Sequence, residues 1–147
     1  MRTLIFFCIN FIILSSLMGQ AQTAVYDFND GLNEKTKSLP AMKVLGQKGS
    51  FSIEALEELG VKKNVYQFGK NHGLSLDVSN TDIFNQSYSI EIYFKFQDLN
   101  SWRRVIDWKN RKTDDGAYIY SGRLSFYNLI KSDIAPVEAG EYTHYIF

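Results

Sequence analysis

Aromatic and cationic side chains lie next to each other near the middle of the chain. Trp102 is followed directly by Arg103 and Arg104 in a segment of loop-like composition. The face of an exposed tryptophan ring can stack on the apolar side of a sugar ring, and a guanidinium group is a rigid fork of hydrogen-bond donors. We therefore predict that these three residues form a ligand-binding patch. The other tryptophan, Trp108, alternates with Ile106 and is predicted to lie in the core.

A row of tyrosines is the alternative binding surface. Three tyrosines, Tyr93, Tyr118 and Tyr120, alternate with apolar residues. In extended segments we therefore expect their side chains to point away from the core. Tyrosines on neighbouring strands also pair commonly with one another across a sheet. Both interpretations of this outward row, ligand binding and cross-strand pairing, stay open.

Acidic residues in candidate loops suggest a calcium-binding site as a second possibility. They are Asp77, Asp82, Asp114 and Asp115, with Asn80 beside the first two. Calcium takes hard oxygen ligands of this kind from loops. The sequence lacks a contiguous ligand loop, and Asp and Asn in turns commonly bond their own backbone. We therefore predict no cofactor and keep calcium as the open alternative.

Other metal and nucleophile chemistries lack the necessary residues. His72 and His144 have no companion at the spacing of a metal site or of a catalytic triad. The single cysteine, Cys8, lies in an apolar run at the start of the chain. Structural or solvated roles are therefore predicted for both histidines.

The charge balance disfavours partners that are recognised by long-range electrostatics. The 147 residues include 16 basic and 16 acidic side chains, so the formal charge is zero. This balance gives no general attraction to nucleic acid or to an anionic membrane, and we predict no nucleic-acid partner. With 45% hydrophobic and 22% charged residues, the composition is that of an ordinary globular domain. Any partner must therefore be recognised by local contacts.

The first 21 residues have the pattern of a cleaved signal peptide. Arg2 gives a positive start, residues 4–17 are almost wholly apolar, and Gly19 and Ala21 supply the small residues of a cleavage site. The apolar run is shorter than the roughly 20 residues that a membrane-spanning helix needs. We predict a mature chain of residues 22–147 with no membrane span. Its expected location is extracellular or at the cell surface, with the periplasm as an alternative.

Short strands must position these candidate residues. Apolar and polar side chains alternate with period two across residues 88–97, which predicts a strand with one buried face. Ser121 and Gly122 stand between two such segments and predict a two-residue hairpin turn. The one helix-like piece, residues 53–59, is one or two turns at most. The other predicted strands are residues 25–29, 65–68, 74–78, 104–108, 117–120, 123–127 and 142–147.

Regular short strands with turns between them predict an all-β antiparallel sandwich or barrel. The last predicted strand runs to the final residue, where a sandwich strand usually has partners on both sides. We therefore expect residues 22–147 to be the N-terminal portion of a larger sandwich.

Four stretches of the chain resemble a known family. They are Tyr26-Asp27-Phe28-Asn29, Ser89-Ile90-Glu91, Trp102-Arg103-Arg104-Val105-Ile106-Asp107 and Gly116-Ala117-Tyr118. Their order is similar to that of laminin-G-like, concanavalin-A-like domains of secreted bacterial proteins, over residues 24–147. The resemblance implies a jelly-roll sandwich of two curved antiparallel sheets. Members usually continue with several more strands, which agrees with the expectation of an incomplete domain.

The resemblance also implies a function. Such domains serve as secreted, non-catalytic recognition or adhesion modules that bind carbohydrate or an extracellular protein on a sandwich surface or loop rim. The alternative is a fragment of an exported glycoside hydrolase, because the same fold carries both classes.

Carboxylate spacing separates these two functions. A retaining glycosidase needs two carboxylates about 5 Å apart, and related glucanases carry them in a Glu-x-Asp-x-x-Glu strand. Here the same-face neighbours of Glu91 are Tyr93 and Lys95. We therefore predict that Glu91 pairs with Lys95 and that the protein is not an enzyme.

Overall fold

The computed structural model describes residues 23–84, 87–109, 111–127 and 129–147. The predicted signal peptide lies outside these residues. Within them the chain is all-β, as predicted, with one short 3-10 turn at Glu57–Leu59. No helix in these ranges has the length and apolar character needed to cross a membrane. The strands are β1 (Lys43–Leu45), β2 (Ser50–Leu56), β3 (Val61–Gln67), β4 (Gly73–Ser75), β5 (Glu91–Phe94), β6 (Arg103–Asp107), β7 (Gly116–Tyr120), β8 (Arg123–Phe126), β9 (Ile130–Lys131) and β10 (Thr143–Ile146).

All strand pairs in the described residues are antiparallel. Three sheets have two strands each, and they pair β1 with β4, β2 with β3 and β5 with β10. The fourth sheet has the order β6-β7-β8-β9 and is therefore a meander of sequential neighbours. Each strand packs mainly against the strand to which it is hydrogen-bonded.

The predicted strand at residues 25–29 is wrong. Phe28 has a φ of 58°, which lies in the left-handed region and interrupts an extended chain. The N–H of Asn29 donates to Oδ1 of Asp27 at 3.1 Å, so this segment turns. An aspartate that captures the backbone two residues further on competes with strand pairing.

The predicted helical piece at residues 53–59 is also mostly strand. Its first four residues belong to β2, which continues to Leu56, and only Glu57–Leu59 forms a 3-10 turn. Gly60 ends the turn with a φ of 62°, a conformation that glycine adopts at little cost. The prediction at 88–97 is confirmed only for β5, while β1 and β9 were not predicted.

The hairpin between β7 and β8 is confirmed. Tyr120 faces Arg123 across it, and both turn residues have positive φ, 50° for Ser121 and 73° for Gly122. Two positive φ values define the type I′ turn, whose twist matches that of the strands it joins. A Cβ on Gly122 would lie 2.8 Å from the carbonyl oxygen of Val137, so this position has room only for glycine.

The register of the hairpin gives the four-stranded sheet two different faces. Ala117 and Ile119 lie on the apolar face, opposite Phe126 and Leu124 of β8. Ile119 is 0% exposed and is the centre of the small buried core. The other buried apolar residues are Leu39, Leu56, Tyr66, Ala117, Tyr118 and Val137.

Shortening Ile119 tests the importance of this core. We expect Ile119→Ala to lower the free energy of unfolding by about 2–5 kcal/mol and Ile119→Val by about 0.5–1.5 kcal/mol, because removed methyl groups leave a cavity. Denaturant unfolding measures both values. Ile53→Ala is the control, since Ile53 is largely exposed, and it should change stability by no more than about 0.5 kcal/mol. Equal effects of Ile119→Ala and Ile53→Ala would contradict the assignment of the core.

Glu34 organises the irregular segment that precedes β1. Its side chain is buried, and its carboxylate accepts hydrogen bonds from the N–H groups of Val25 at 2.9 Å, Thr36 at 2.9 Å and Ser38 at 3.0 Å. The hydroxyl groups of Thr36 and Ser38 donate to the same carboxylate. The Val25 N–H, followed by the Thr36 and Ser38 donors, outweighs burial and lowers the pKa of Glu34 to about 2.

This carboxylate should make stability depend on pH. Because the pKa is lower in the folded state, its contribution is complete above about pH 4.5 and is lost as the pH falls towards about 2. We expect the thermal midpoint of the wild type to fall through this window. Glu34→Gln should flatten that fall and lower the midpoint at pH 7, whereas the exposed Glu138→Gln should behave as the wild type. An unchanged pH profile in Glu34→Gln would contradict this role.

Candidate functional site

The strongest candidate site is an aromatic platform on the polar face of the four-stranded sheet. Trp102 immediately precedes β6, and its ring stacks on that of Tyr120 with centroids 4.4 Å apart and an angle of 19°. The edge of Tyr118 meets the same tryptophan at 6.0 Å. Trp102 remains 46% exposed. We call Trp102, Tyr118 and Tyr120 the aromatic platform.

A β-bulge places the charges beside this platform. Arg104 pairs with Tyr118 but Ile106 pairs with Ala117, so β6 contains one extra residue between them. The extra residue reverses the alternation and brings Asp107 to the face that carries Arg104. Nη1 of Arg104 lies 2.6 Å from Oδ2 of Asp107.

Arg104 is held from two further directions. Its Nη2 lies 3.2 Å from Oδ1 of Asp114, and its guanidinium carbon lies 5.1 Å from the ring centroid of Tyr118. Two carboxylates therefore neutralise Arg104, and Lys109 lies 3.9 Å from Asp115 in a separate ion pair. The guanidinium group of Arg104 is therefore held in one position beside the aromatic platform.

Arg103 lies on the opposite face. It pairs with Ile119 in the register, so its side chain leaves the sheet away from Trp102 and Arg104. Its guanidinium group binds the Asp98 carboxylate, and Nη1 donates to the carbonyl oxygen of Trp102 at 3.2 Å. Arg103 therefore fixes the backbone of Trp102 instead of facing a ligand beside it.

Tyr118 forms the floor of the platform. It lies on the face opposite Ala117 and Ile119, as the alternation predicts, but it is only 6% exposed. Trp102 and Arg104 cover it. Burial raises the pKa of the Tyr118 phenol above its usual value, and this effect outweighs the opposite effect of the Arg104 charge. Its hydroxyl donates to Oδ1 of Asp114 at 3.3 Å.

Tyr93 is not part of the platform, because it lies on β5 in a different sheet. Its ring stacks on His144 at 4.2 Å, and Nε2 of His144 lies 2.8 Å from Oε1 of Glu91. The predicted pairing of Glu91 with Lys95 is therefore wrong. β5 ends at Phe94, so the alternation that put those two residues on one face does not reach Lys95.

Lys95 belongs instead to a polar network that the sequence did not indicate. It binds the carboxylate of Glu54, which also accepts a hydrogen bond from the hydroxyl of Tyr142 at 2.9 Å. The hydrogen bond from Lys95, and then that from Tyr142, lowers the pKa of Glu54, whereas burial raises the pKa of Tyr142. Glu54 is therefore ionised and Tyr142 protonated at neutral pH.

A cavity of about 500 Å³ lies beside this network. Glu57, Glu138 and Glu141 contribute to its wall. The residues around it come from three distant parts of the chain, and no local pattern joins them. Among the described residues, no three side chains of His, Cys, Asp or Glu are grouped so that they could hold a metal ion.

The predicted calcium residues lie at separate places. The hydroxyl and N–H of Ser79 bind Asp77 and lower the pKa of its carboxyl, which also lies 3.7 Å from Lys43. Asp114 and Asp115 face Arg104 and Lys109, as described above. Asp82 lies in the segment between β4 and β5. The structure brings no three of these aspartates together.

Trp108 and the two histidines contact neighbouring residues of the fold. Trp108 is exposed rather than in the core, because the bulge reverses the alternation and β6 ends one residue before it. Its ring lies 6.3 Å from that of Phe126. His72 accepts a hydrogen bond from the N–H of Gln47 at 3.0 Å.

Comparison of the chain with known protein families, with curated proteins and with solved structures finds no match in any of the three. The laminin-G-like resemblance therefore stays a prediction.

A double-mutant cycle tests the stacking within the platform. We expect Trp102→Ala and Tyr120→Ala to be coupled by about 0.5–1.5 kcal/mol, because stacked aromatic rings interact beyond their buried area. Denaturant unfolding of the two single variants and of the double variant measures this energy. Trp102→Ala combined with Ile53→Ala, in another sheet, should be additive to within about 0.5 kcal/mol. Additivity of the Trp102 and Tyr120 variants would show that the rings do not stack.

Proposed function

We propose that this protein is a secreted, non-catalytic recognition module that binds carbohydrate through the aromatic platform. In this proposal the described strands belong to a jelly-roll sandwich that follows a cleaved signal peptide. The observation that supports it most strongly is the half-exposed ring of Trp102, held flat over Tyr120.

The surroundings of Trp102 make it a rigid surface. Tyr120 supports one face of the ring, the edge of Tyr118 supports it from the side, and Arg103 holds its carbonyl oxygen. A side chain that is already ordered loses little conformational entropy when a ligand binds. This preorganisation favours a small, flat ligand surface such as the apolar side of a sugar ring.

Polar donors surround the platform. Arg123 lies directly opposite Tyr120 in the hairpin, on the same face, and its side chain is exposed. Lys131 Nζ lies 5.6 Å from the ring centroid of Tyr120. A stacked sugar would have its hydroxyl groups within the range of such side chains. The exposed ring provides the apolar contact and these donors provide orientation, as is usual in ligand sites.

The carboxylates near the platform favour binding over hydrolysis. A retaining glycosidase needs one protonated carboxyl group and one free carboxylate facing the sugar. The carboxylates of Asp107 and Asp114 are both ion-paired with Arg104, so they do not form the free pair that this mechanism needs. We therefore favour recognition without turnover over the alternative of a glycoside hydrolase fragment.

The two tryptophans of the chain provide a direct test. After a glycan array has identified a sugar that binds, Trp108→Phe leaves Trp102 as the only fluorescent tryptophan, and Trp102→Phe leaves Trp108. We expect saturating sugar to change the emission of Trp108→Phe and to leave that of Trp102→Phe unaltered. Trp102→Ala should raise the Kd by about thirtyfold, as truncation of a central aromatic contact costs about 2 kcal/mol.

Trp108→Ala is the matched control, and its Kd should equal that of the wild type. No binding to any glycan, or an emission change confined to Trp108, would contradict the proposal. Release of reducing sugar by the wild type would favour the hydrolase alternative instead.

A further inference from the structure

We infer that the ligand of the aromatic platform is an acidic oligosaccharide, whose anionic group is held by Arg123 and Lys131. This inference rests on the proposed function and adds the charge of the sugar to it. Arg123 is paired with Tyr120 in the register of the sheet, and Lys131 is paired with Ser125, which also faces Tyr118. Residues that face each other across a strand pair share one side of the sheet, so both cations lie on the platform side.

Neither cation has an anionic partner in the part of the chain that the structure describes. Arg123 and Lys131 are both exposed, and neither takes part in an ion pair there. Arg104 differs from them, because Asp107 and Asp114 already bind it. That cluster of one cation and two carboxylates is acidic and lies at β6. The two cations without a partner lie at β8 and β9, so this end of the face attracts anions.

The two cations are close enough to bind one anion. Lys131 is the partner of Ser125, and Arg123 precedes Ser125 by two residues on β8, so the cations are diagonal neighbours on one face. Long side chains at diagonal positions can reach each other. Nζ of Lys131 lies 5.6 Å from the ring centroid of Tyr120, the direct partner of Arg123. An anion bound beside Tyr120 would therefore contact both cations and offset their mutual repulsion.

Ser125 provides a further hydrogen-bond donor beside the two charges. Its side chain is only 6% exposed, and its hydroxyl forms no hydrogen bond with another described residue. A buried hydroxyl group without a partner costs stability, because burial removes the water that would otherwise satisfy it. Ser125 and Lys131 both line a small groove of about 220 Å³. An oxygen atom of a ligand in this groove would give the hydroxyl its partner.

The unpaired polar groups at this end of the face select a ligand that accepts hydrogen bonds. Guanidinium and ammonium groups donate hydrogen bonds but cannot accept them. The hydroxyl groups of a neutral sugar also donate, and they would find no acceptor on Arg123 or Lys131. A carboxylate or a sulfate ester only accepts, and its bonds to cationic donors are stronger than those between neutral groups. The chemistry of the two cations therefore favours an acidic sugar.

The arrangement of the site favours an oligosaccharide over a single sugar. Trp102 immediately precedes β6, Tyr120 lies on β7 and Lys131 lies on β9. The ring centroids of Trp102 and Tyr120 are 4.4 Å apart, and Nζ of Lys131 lies 5.6 Å from the centroid of Tyr120. The exposed stacking surface and the cations are therefore separate parts of one face. One sugar residue would stack on Trp102, and an acidic residue of the same oligosaccharide would reach the cations.

Matched acidic and neutral sugars test the charge of the ligand without any change to the protein. The probes are short oligosaccharides of galacturonic, glucuronic and mannuronic acid with their uncharged methyl esters, and 6-sulfated galactose oligosaccharides with their unsulfated counterparts. With protein purified after expression of the full-length chain, we expect at least one acidic probe to bind about tenfold or more tightly than its uncharged counterpart. The acidic series that binds more tightly identifies the anionic group. Added salt should weaken the binding of the acidic probe and not that of its counterpart.

Variants without the charges locate the anionic group. Arg123→Gln and Lys131→Gln should each raise the Kd of the acidic probe about tenfold, because each removes one charge-assisted donor, and should leave the Kd of the uncharged counterpart unaltered. Lys131→Arg keeps the charge and should keep the preference for the acidic probe. Lys62→Gln, on β3, is the matched control and should bind as the wild type. The emission of Trp102 in a Trp108→Phe background measures each Kd at the platform.

Two outcomes would overturn this inference and leave the proposed function intact. The first is equal affinity for the acidic probes and their uncharged counterparts, with a response of the Trp102 emission to both. The second is a loss of affinity in Arg123→Gln and Lys131→Gln that is the same for both kinds of probe. Two other outcomes would contradict the proposed function as well. They are the absence of binding to every sugar, and tighter binding of a single-stranded oligonucleotide, since aromatic rings and cations also bind nucleic acid.

Discussion

The register of the β6-β7-β8 meander is the constraint on which the rest of this structure depends. Side chains alternate along β7, so a shift of one residue would exchange Tyr118 and Tyr120 for Ala117 and Ile119 on the two faces of the sheet. The type I′ turn fixes one side of β7. The bulge in β6 fixes the other, because it places Asp107 rather than Ile106 beside Arg104. Core and platform therefore depend on the same few backbone positions.

Local patterns were sufficient for the strand content and for the central hairpin. Ser121 and Gly122 predicted the turn correctly because a two-residue loop between alternating segments has few backbone solutions. Period-two alternation identified β5, β7 and β8. It overestimated the length of β5, because alternation describes side-chain polarity and does not show where a partner strand ends. The partner β10 pairs only as far as Phe94.

The wrong predictions have physical causes that a period-two pattern of polarity does not contain. At residues 25–29 the alternation of Tyr26 and Phe28 suggested a strand, but Asp27 captures a backbone N–H and Phe28 adopts positive φ. Trp108 was placed in the core because alternation was counted through β6, where the bulge adds one residue. A bulge has no local signature when neither glycine nor proline marks it.

The candidate site could be predicted in part. Trp102 was correctly expected to be exposed beside arginine, and Tyr120 was expected on the outward face. The burial of Tyr118 was not foreseen, since it results from Trp102 folding over it across the strand pair. Glu34 and Glu54 were missed entirely. Glu54 binds Lys95 and Tyr142, 41 and 88 residues away in sequence, and such contacts exist only after folding.

The most direct measurement of the central constraint is a set of NMR contacts between backbone Hα protons of β7 and β8. Residues that face each other without mutual hydrogen bonds bring these protons closest together. We expect strong contacts between Ile119 and Leu124 and between Ala117 and Phe126. Contacts that instead join Tyr118 to Leu124 or to Phe126 would show a register shifted by one residue, which would bury the platform and contradict the account.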